Sequence, residues 1–478
     1  MTVHPTSNAF KAHAHKALHD PQLQKAFNHV RSAFIDKRAK AAAGLPEFEL
    51  LRDSARDIKA HTLKHLDIYL EAYEAKVTEA GGHVHFARDA AEARQAIVDI
   101  CRQRGARTVT KGKSMVSEEV GLNDALQAAG IEPVETDLGE YIIQLRGEVP
   151  SHIIAPAVHL TKEQVEADFR RLHKHDHLAA DRDLSDAQLL LTEARGILRD
   201  RFLSADIGIT GANFLVAETG SSVIVTNEGN GDLTQILPKV HIVLAAIDKI
   251  VPTRNDVAQL LRVLARSATG QEMSVYTTVS TGPRRAEDPD GPEEYHVILL
   301  DNGRSAMLGT EFEDMLRCIR CGACMNHCPV YQAVGGHSYG WIYPGPMGAV
   351  LTPSLIGIDK SGHLPNASTF CGRCEAVCPV RIPLPKMMRH WREKEFERHL
   401  SPAPVRQGLA FWGFFATRPG LYRAATGLAM RAMALAGRAT GRFTRLPGAA
   451  GWTEYRDMPA PQGGTFQAQW KAQRGRRR

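Results

Sequence analysis

The stretch CIRCGACMNHCP, residues 318–329, decides what is built around it. Its cysteines Cys318, Cys321, Cys324 and Cys328 follow the pattern C-x2-C-x2-C-x3-C-P, the spacing that wraps an iron–sulfur cluster. Three thiolates at steps of three residues let one tight loop place sulfurs on neighbouring corners of a cube. The fourth cysteine points away from that loop and in two-cluster ferredoxins ligates the other cluster. The proline after it ends the loop and removes a backbone donor.

A second run, STFCGRCEAVCP at residues 368–379, aligns on its own proline. Cys378 then matches the fourth position, Cys374 the third and Cys371 the second, while the first falls on Ser368. With crossed ligation, one cluster takes Cys318, Cys321, Cys324 and Cys378. The other takes Cys328, Cys371 and Cys374 and lacks a fourth thiolate. It is either a three-iron cluster, or a four-iron cluster whose last corner is held by Ser368, water or another group. Structural zinc is the main competing reading, but zinc sites pair two C-x2-C knuckles or mix in histidine. Disulfides need an oxidising compartment. Seven of the eight cysteines sit in these runs. The eighth, Cys101, lies in an apolar helical pattern and reads as a small buried hydrophobe.

Around the cysteines lies a chain of 478 residues, long enough for two or three domains. Its hydrophobic content of 43% and charged content of 23% are those of ordinary globular proteins. The net charge of +6 is a mild excess, part of it in the terminal Arg474, Arg476, Arg477 and Arg478. No nucleic-acid motif accompanies it, so no nucleic-acid partner is expected. The first twenty residues are polar and carry His4, His13 and His15 without an apolar segment, which reads as a solvated, poorly ordered terminus and not as an export signal. A cytoplasmic location is expected. Residues 409–436 are apolar but interrupted by Arg418, Pro419, Arg423 and Arg431. They read as an amphipathic helix pair that packs on its own domain, or that offers a docking surface for a partner or for peripheral membrane contact.

Residues 1–80 read as a helical N-terminal region, with apolar residues at helical spacing from residue 20 onward. Residues 81–303 alternate strand and helix. HVHFA, ARTVTKG and IEPVETD are strand patterns; DAAEARQAIVDICRQR and SEEVGLNDALQAAG are helical, the latter with Ser117 as a plausible cap. IGITGANFLVAETGSSVIVTNEG reads as two strands joined at Thr219-Gly220, and HIVLAAI as a buried strand. This alternation predicts a parallel α/β sheet covered by helices. Residues 311–390 form the ferredoxin-like, α-helical cluster domain, whose long Gly/Pro-rich spacer has room for a helix of its own. Residues 391–478 form a basic helical and then extended C-terminal tail.

Within the α/β domain, Lys111, Lys113 and Ser114 make a basic turn before a helix, a place where an anion can sit. A solvated loop is the plainer account of it. Glu218 precedes the Thr219-Gly220 turn, and His241 opens an apolar strand, where a structural histidine is the simpler expectation. No strand–GxGxxG–helix fingerprint for a nicotinamide or flavin is present, so the residues of hydride chemistry are not identified.

The two cysteine runs with the spacer GGHSYGWIYPGPMGAVLTP, and upstream TKGKSMVSEEVGLNDAL and VAETGSSVIVTNEGNGDLTQILPKVHIVLAAIDKIVP, resemble the iron–sulfur subunit family of bacterial lactate-utilisation complexes. That resemblance implies that the α/β region is a LUD domain, similar to the sugar-phosphate isomerase and CoA-transferase group. It implies two iron–sulfur clusters, [4Fe-4S] at the first site and [4Fe-4S] or [3Fe-4S] at the second. It also implies electron transfer in the oxidation of L-lactate to pyruvate, beside a LutA-like CCG-domain protein and a LutC-like LUD protein. Two other readings stay open. One is a subunit for another 2-hydroxy acid such as glycolate. The other is an enzyme with its own small-acid or CoA-like site in the LUD domain, where a glutamate such as Glu218 does covalent work in related transferases.

Overall fold

The computed structural model describes residues 4–28, 30–112, 114–173, 178–179, 181–446, 450–454 and 456–475. The chain divides into two compact units between Glu395 and Phe396.

Ten strands of the first unit fall into two sheets. In chain order they are β1 (His83–Ala87), β2 (Thr108–Gly112), β3 (Glu132–Glu135), β4 (Ile207–Thr210), β5 (Phe214–Val216), β6 (Ser221–Thr226), β7 (Val240–Ala246), β8 (Ile250–Val251), β9 (Tyr276–Ser280) and β10 (Glu294–Leu300). The six-stranded sheet has the order β1-β10-β7-β4-β2-β3 and is parallel throughout. Its middle strand β7 (VHIVLAA) is buried at every residue, as a parallel strand covered on both faces must be. One face packs on the helices Ala90–Gln103 and Met115–Val120, the other on the helix Leu66–Glu79. From β2 the chain winds outward to β3, then returns to the other side of β2 to lay down β4, β7 and β10. The winding therefore reverses between β2 and β4.

The sequence pattern merges two strands that the structure separates. IGIT is β4 of the large sheet, whereas FLV is β5 of a small sheet with the order β8-β5-β6-β9. Asn213 redirects the chain between them; its side chain accepts from the Val225 amide at 2.9 Å. The β5–β6 hairpin does turn at Thr219-Gly220. Ser117 is not a cap: the helix starts at Met115, and Ser114 accepts the Ser117 amide. The same helix stops at Gly121, which adopts φ +64°.

Two segments expected to be loosely structured are not. Residues Phe10–Leu18 form a helix, and the segment before it is pinned by the Thr6 amide on the Gly340 carbonyl at 2.8 Å and by Phe10 against Tyr339. In the second unit the helices Ala403–Ala416 and Pro419–Ala436 bury no residue, and large apolar side chains such as Phe411, Trp412 and Leu428 are exposed. Downstream, Phe466–Gly475 is helical, not extended. Among the described residues, no helix is long and apolar enough to cross a membrane. Arg476, Arg477 and Arg478 lie outside the described residues.

A buried ionic knot joins the α/β sheet to the cysteine region. Arg304, fully buried after β10, donates to Glu119 at 2.7 and 2.8 Å and to Asp248 at 3.0 Å. Tyr343 of the spacer and Asn302 also donate to Glu119, at 2.6 and 2.7 Å. Burial opposes the Glu119 charge, but the guanidinium overrides it and holds the carboxyl below its usual range. Removing one partner of such a knot strands the others in a dry interior, at a cost of about 3–5 kcal/mol. Arg304→Ala is accordingly expected to lower unfolding stability by roughly that amount in urea titrations; a loss below about 1 kcal/mol would show that the knot is not structural.

Candidate metal centre

Cys318, Cys321, Cys324 and Cys378 line one small cavity, together with Ile153, Met347, Val380, Ile382 and Leu384. The cysteine before the second proline thus lies beside the first loop, as crossed ligation would require. All eight cysteines are free. Zn–S bonds of 2.3 Å would bring four sulfurs to about 3.8 Å from one another. Among the described residues, no three cysteine sulfurs converge within 4.8 Å. Thiols that ring one apolar cavity but stand too far apart for a single ion fit a cluster and not zinc.

The loop geometry follows from a few residues. Arg320 (φ +57°) and Gly322 (φ +74°) bend the chain so that the thiols of Cys318, Cys321 and Cys324 turn inward. A Cβ on Gly322 would come within 3.1 Å of the His152 ring, so glycine is needed there twice over. Backbone amides point at the sulfurs: Arg320 donates to Cys318 Sγ and Ile382 to Cys378 Sγ, both at 3.4 Å. Such N–H···S bonds stabilise thiolate charge and tune a bound cluster. Without metal, burial pushes the thiols of Cys321 and Cys374 up to about 12 and that of Cys378 to about 11, so metal binding must release protons.

The second set is Cys328, Cys371 and Cys374, whose thiols act on one another electrostatically. Cys328 and Cys374 are buried, but Cys371 is exposed. The Arg373 amide lowers the Cys371 thiol. At Ser368 the second loop repeats the first in detail. Phe370 (φ +52°) and Gly372 (φ +78°) match Arg320 and Gly322, and the Phe370 amide donates to Ser368 Oγ at 3.1 Å, as Arg320 does to Cys318 Sγ.

Residues outside the cysteine runs hold both loops. Arg52 donates to the carbonyls of Cys378 (2.8 and 3.1 Å) and Ala376 (2.7 Å), and Arg38 to that of Val377 at 3.0 Å. Both arginines come from the N-terminal helices Lys37–Ala43 and Phe48–Lys64. His152 donates from Nε2 to Asn326 Oδ1 at 3.0 Å and accepts the Ile154 and Ala155 amides at Nδ1. Burial pushes its imidazole down to about 4, which keeps it neutral. No local signal marks these residues; only the tertiary fold brings them to the cysteines.

The α/β candidates are not assembled into one site. Lys111 is buried and committed to Glu135 at 2.6 Å and Glu118 at 3.1 Å, so its charge is not open to an external anion. Lys113 lies outside the described residues. Glu218 sits on an exposed turn and accepts the Arg254 amide at 3.1 Å. His241 is buried against Thr210 Oγ1 at 2.8 Å, with burial pushing its ring down to about 3. Of the four that are described, Ser114 alone lines a cavity at the strand ends.

Comparison with known proteins agrees with this layout. Residues 70–300 match the LUD domain, 314–382 a 4Fe-4S dicluster domain, and 373–475 the C-terminal domain of lactate utilisation protein B. A lactate utilization protein B of Macrococcus caseolyticus is 43% identical over 470 residues, covering 98% of this chain and 97% of that protein. The chain belongs to the lactate utilization protein B family. The Bacillus subtilis (strain 168) protein of that name is 42% identical over 478 residues, covering 99% of this chain and 98% of that protein. An Escherichia coli (strain K12) relative, described as the uncharacterized electron transport protein YkgF, is 42% identical over 474 residues, 98% of each chain. In this lactate utilization protein B family member, the dicluster match spans both thiol sets, which supports iron–sulfur clusters in this region.

The crossing has a direct test. Cys378→Ala is expected to abolish the cluster held by Cys318, Cys321 and Cys324 while leaving that of Cys328, Cys371 and Cys374, read as loss of one of two reduced-state EPR signals. Loss of the other signal would mean that ligation does not cross.

Proposed function

We infer that the chain carries electrons between redox partners in lactate utilisation, as a subunit that serves the oxidation of L-lactate to pyruvate. The observation that carries this reading is the pairing of a thiol set around one apolar cavity, Cys378 included, with a second set that reaches the surface at Cys371. When bound, each cluster can take up and release one electron without proton transfer. The chain contributes the ligands, the amide donors that stabilise sulfur charge, and an apolar wall that keeps water from the first set. The relatives' names supply the pathway: lactate utilization for most, electron transport for the Escherichia coli protein.

Several finer points belong to the same reading. The partners are a CCG-domain protein and a second LUD-domain protein, for which the exposed apolar faces of Ala403–Ala416 and Pro419–Ala436 offer contact area. The compartment is the cytoplasm. The α/β region is akin to the isomerase and CoA-transferase group, with domain limits at 81–303 and 311–390. At the second site the ligand set is completed by Ser368 Oγ, giving [4Fe-4S]; the support is the shared loop geometry of Ser368 and Cys318.

Two experiments test these statements. A strain lacking the gene is expected to fail on L-lactate and to grow normally on glycolate; the reverse pattern would move the protein to another hydroxy acid. Ser368→Ala is expected to convert the second cluster to a three-iron centre, seen as an oxidised-state EPR signal absent from the parent. An unchanged second-cluster spectrum would remove Ser368 from coordination.

A further inference from the structure

Open parallel sheets bind ligands in the crevice outside the carboxyl ends of the strands, where the winding reverses. In this chain the reversal lies between β2 and β4, and the crevice there is a cavity of about 190 Å³. Ser114 follows β2, Asn213 follows β4, and Lys249 follows β7; all three line it. The opposite wall is the first cysteine loop, through Arg320 and Cys321, with Tyr343 of the spacer beside them. Cys321 therefore borders both this cavity and that of the first thiol set.

Among the described residues, two cations face the cavity without a carboxylate ion pair. Lys249 is only 5% exposed, and among the described residues its ammonium makes no hydrogen bond or ion pair. Burial pushes it down to about 8. The Arg320 guanidinium lies over the Tyr343 ring at 4.8 Å and, among the described residues, donates only to the Met347 sulfur, at 4.0 Å. The neighbouring Asp248 carboxyl is already engaged by Arg304 at 3.0 Å, and Lys59 is held by the Ile250 carbonyl at 3.2 Å. Asp137, Glu140 and Glu228 also line the cavity, and Asp137 caps a helix through the Gly139 and Glu140 amides. Cys318 acts on both cations, so a cluster would offset part of their charge. The buried Lys249 ammonium and the partly buried Arg320 guanidinium still lack direct acceptors, and a buried ion left that way costs several kcal/mol.

We propose that this cavity binds a small carboxylate of the 2-hydroxy or 2-keto acid class, its carboxyl group held by Arg320 and Lys249. Arginine's planar fork matches a carboxylate, and lysine adds a point charge. Val225, Leu264 and Ala268 supply an apolar wall for a short carbon chain, and the volume suits a small acid with a few waters and not a nucleotide. The choice of acid rests on the lactate reading above; the pair of unpartnered cations does not.

The test is anaerobic titration calorimetry of the cluster-loaded protein with L-lactate, pyruvate and, separately, inorganic phosphate, with EPR of the reduced protein in each. Saturable binding of lactate or pyruvate is expected, with a change in the signal of the cluster that includes Cys321. Lys249→Gln and Arg320→Gln are expected to weaken binding about tenfold or more. Ala268→Phe, which fills the cavity away from the cysteine loops, is expected to abolish it with iron content unchanged. Absence of saturable binding to either acid, undiminished binding in all three variants, or phosphate bound as tightly as the acids would overturn the site. Those results leave the electron-transfer reading standing. Growth of the deletion strain on L-lactate would overturn the lactate role instead, without touching the binding result.

Discussion

The grip of two guanidinium groups on one turn is the constraint on which the rest depends. Arg52 and Arg38 together hold the carbonyls of three consecutive residues, Ala376, Val377 and Cys378. Cys378 lies beside thiols whose residues are far upstream in the chain, and the spacing that turns it away from its own loop does not by itself fix where it lands. Hydrogen bonds from charged donors contribute roughly 1.5–3 kcal/mol each, more than neutral ones. Placed on helices of the N-terminal region, they make that region part of the metal centre. The same logic explains why residues 6–18 are ordered: Phe10 and the Thr6 amide close over the Gly340 and Tyr339 segment that leads away from Cys328.

The α/β sheet meets the cysteine loops in two places of opposite character. At the Arg304–Glu119–Asp248 knot every charge has its counterion, and Tyr343 ties the spacer into it. At the crevice between β2 and β4, Lys249 and Arg320 face open space. Satisfied charges fix the relative position of sheet and loops, whereas unsatisfied ones mark where a ligand fits. The exposed Cys371 faces outward from the second set, so the site borders a cavity on one side and solvent on the other.

Much of the architecture was legible because it rests on local rules. Cysteine spacing, the proline after each fourth position, and the alternation of strand and helix patterns all act over a few residues. The spacing also pointed to Cys378 beside the first loop, as in two-cluster ferredoxins, and the two do line one cavity. Other features were hidden for identifiable reasons. The break between β4 and β5 depends on Asn213 bonding Val225, a contact across a hairpin that periodicity does not register. Ser114 outcompeted Ser117 as cap through backbone position, not residue type. The basic turn at Lys111 looked like an anion site, but Glu135 from the next strand neutralises it. The cations that do face a cavity, Lys249 and Arg320, are separated in sequence and become neighbours only when the sheet packs on the cysteine loop.

The arrangement proposed for this chain is two iron–sulfur clusters on crossed ligand sets, the second completed by Ser368. Iron and acid-labile sulfide determination on anaerobically purified protein, with Mössbauer spectroscopy, tests it most directly. About eight irons and eight sulfides per chain, all in four-iron clusters, are expected. Zinc in place of iron, or iron near four per chain, would contradict it.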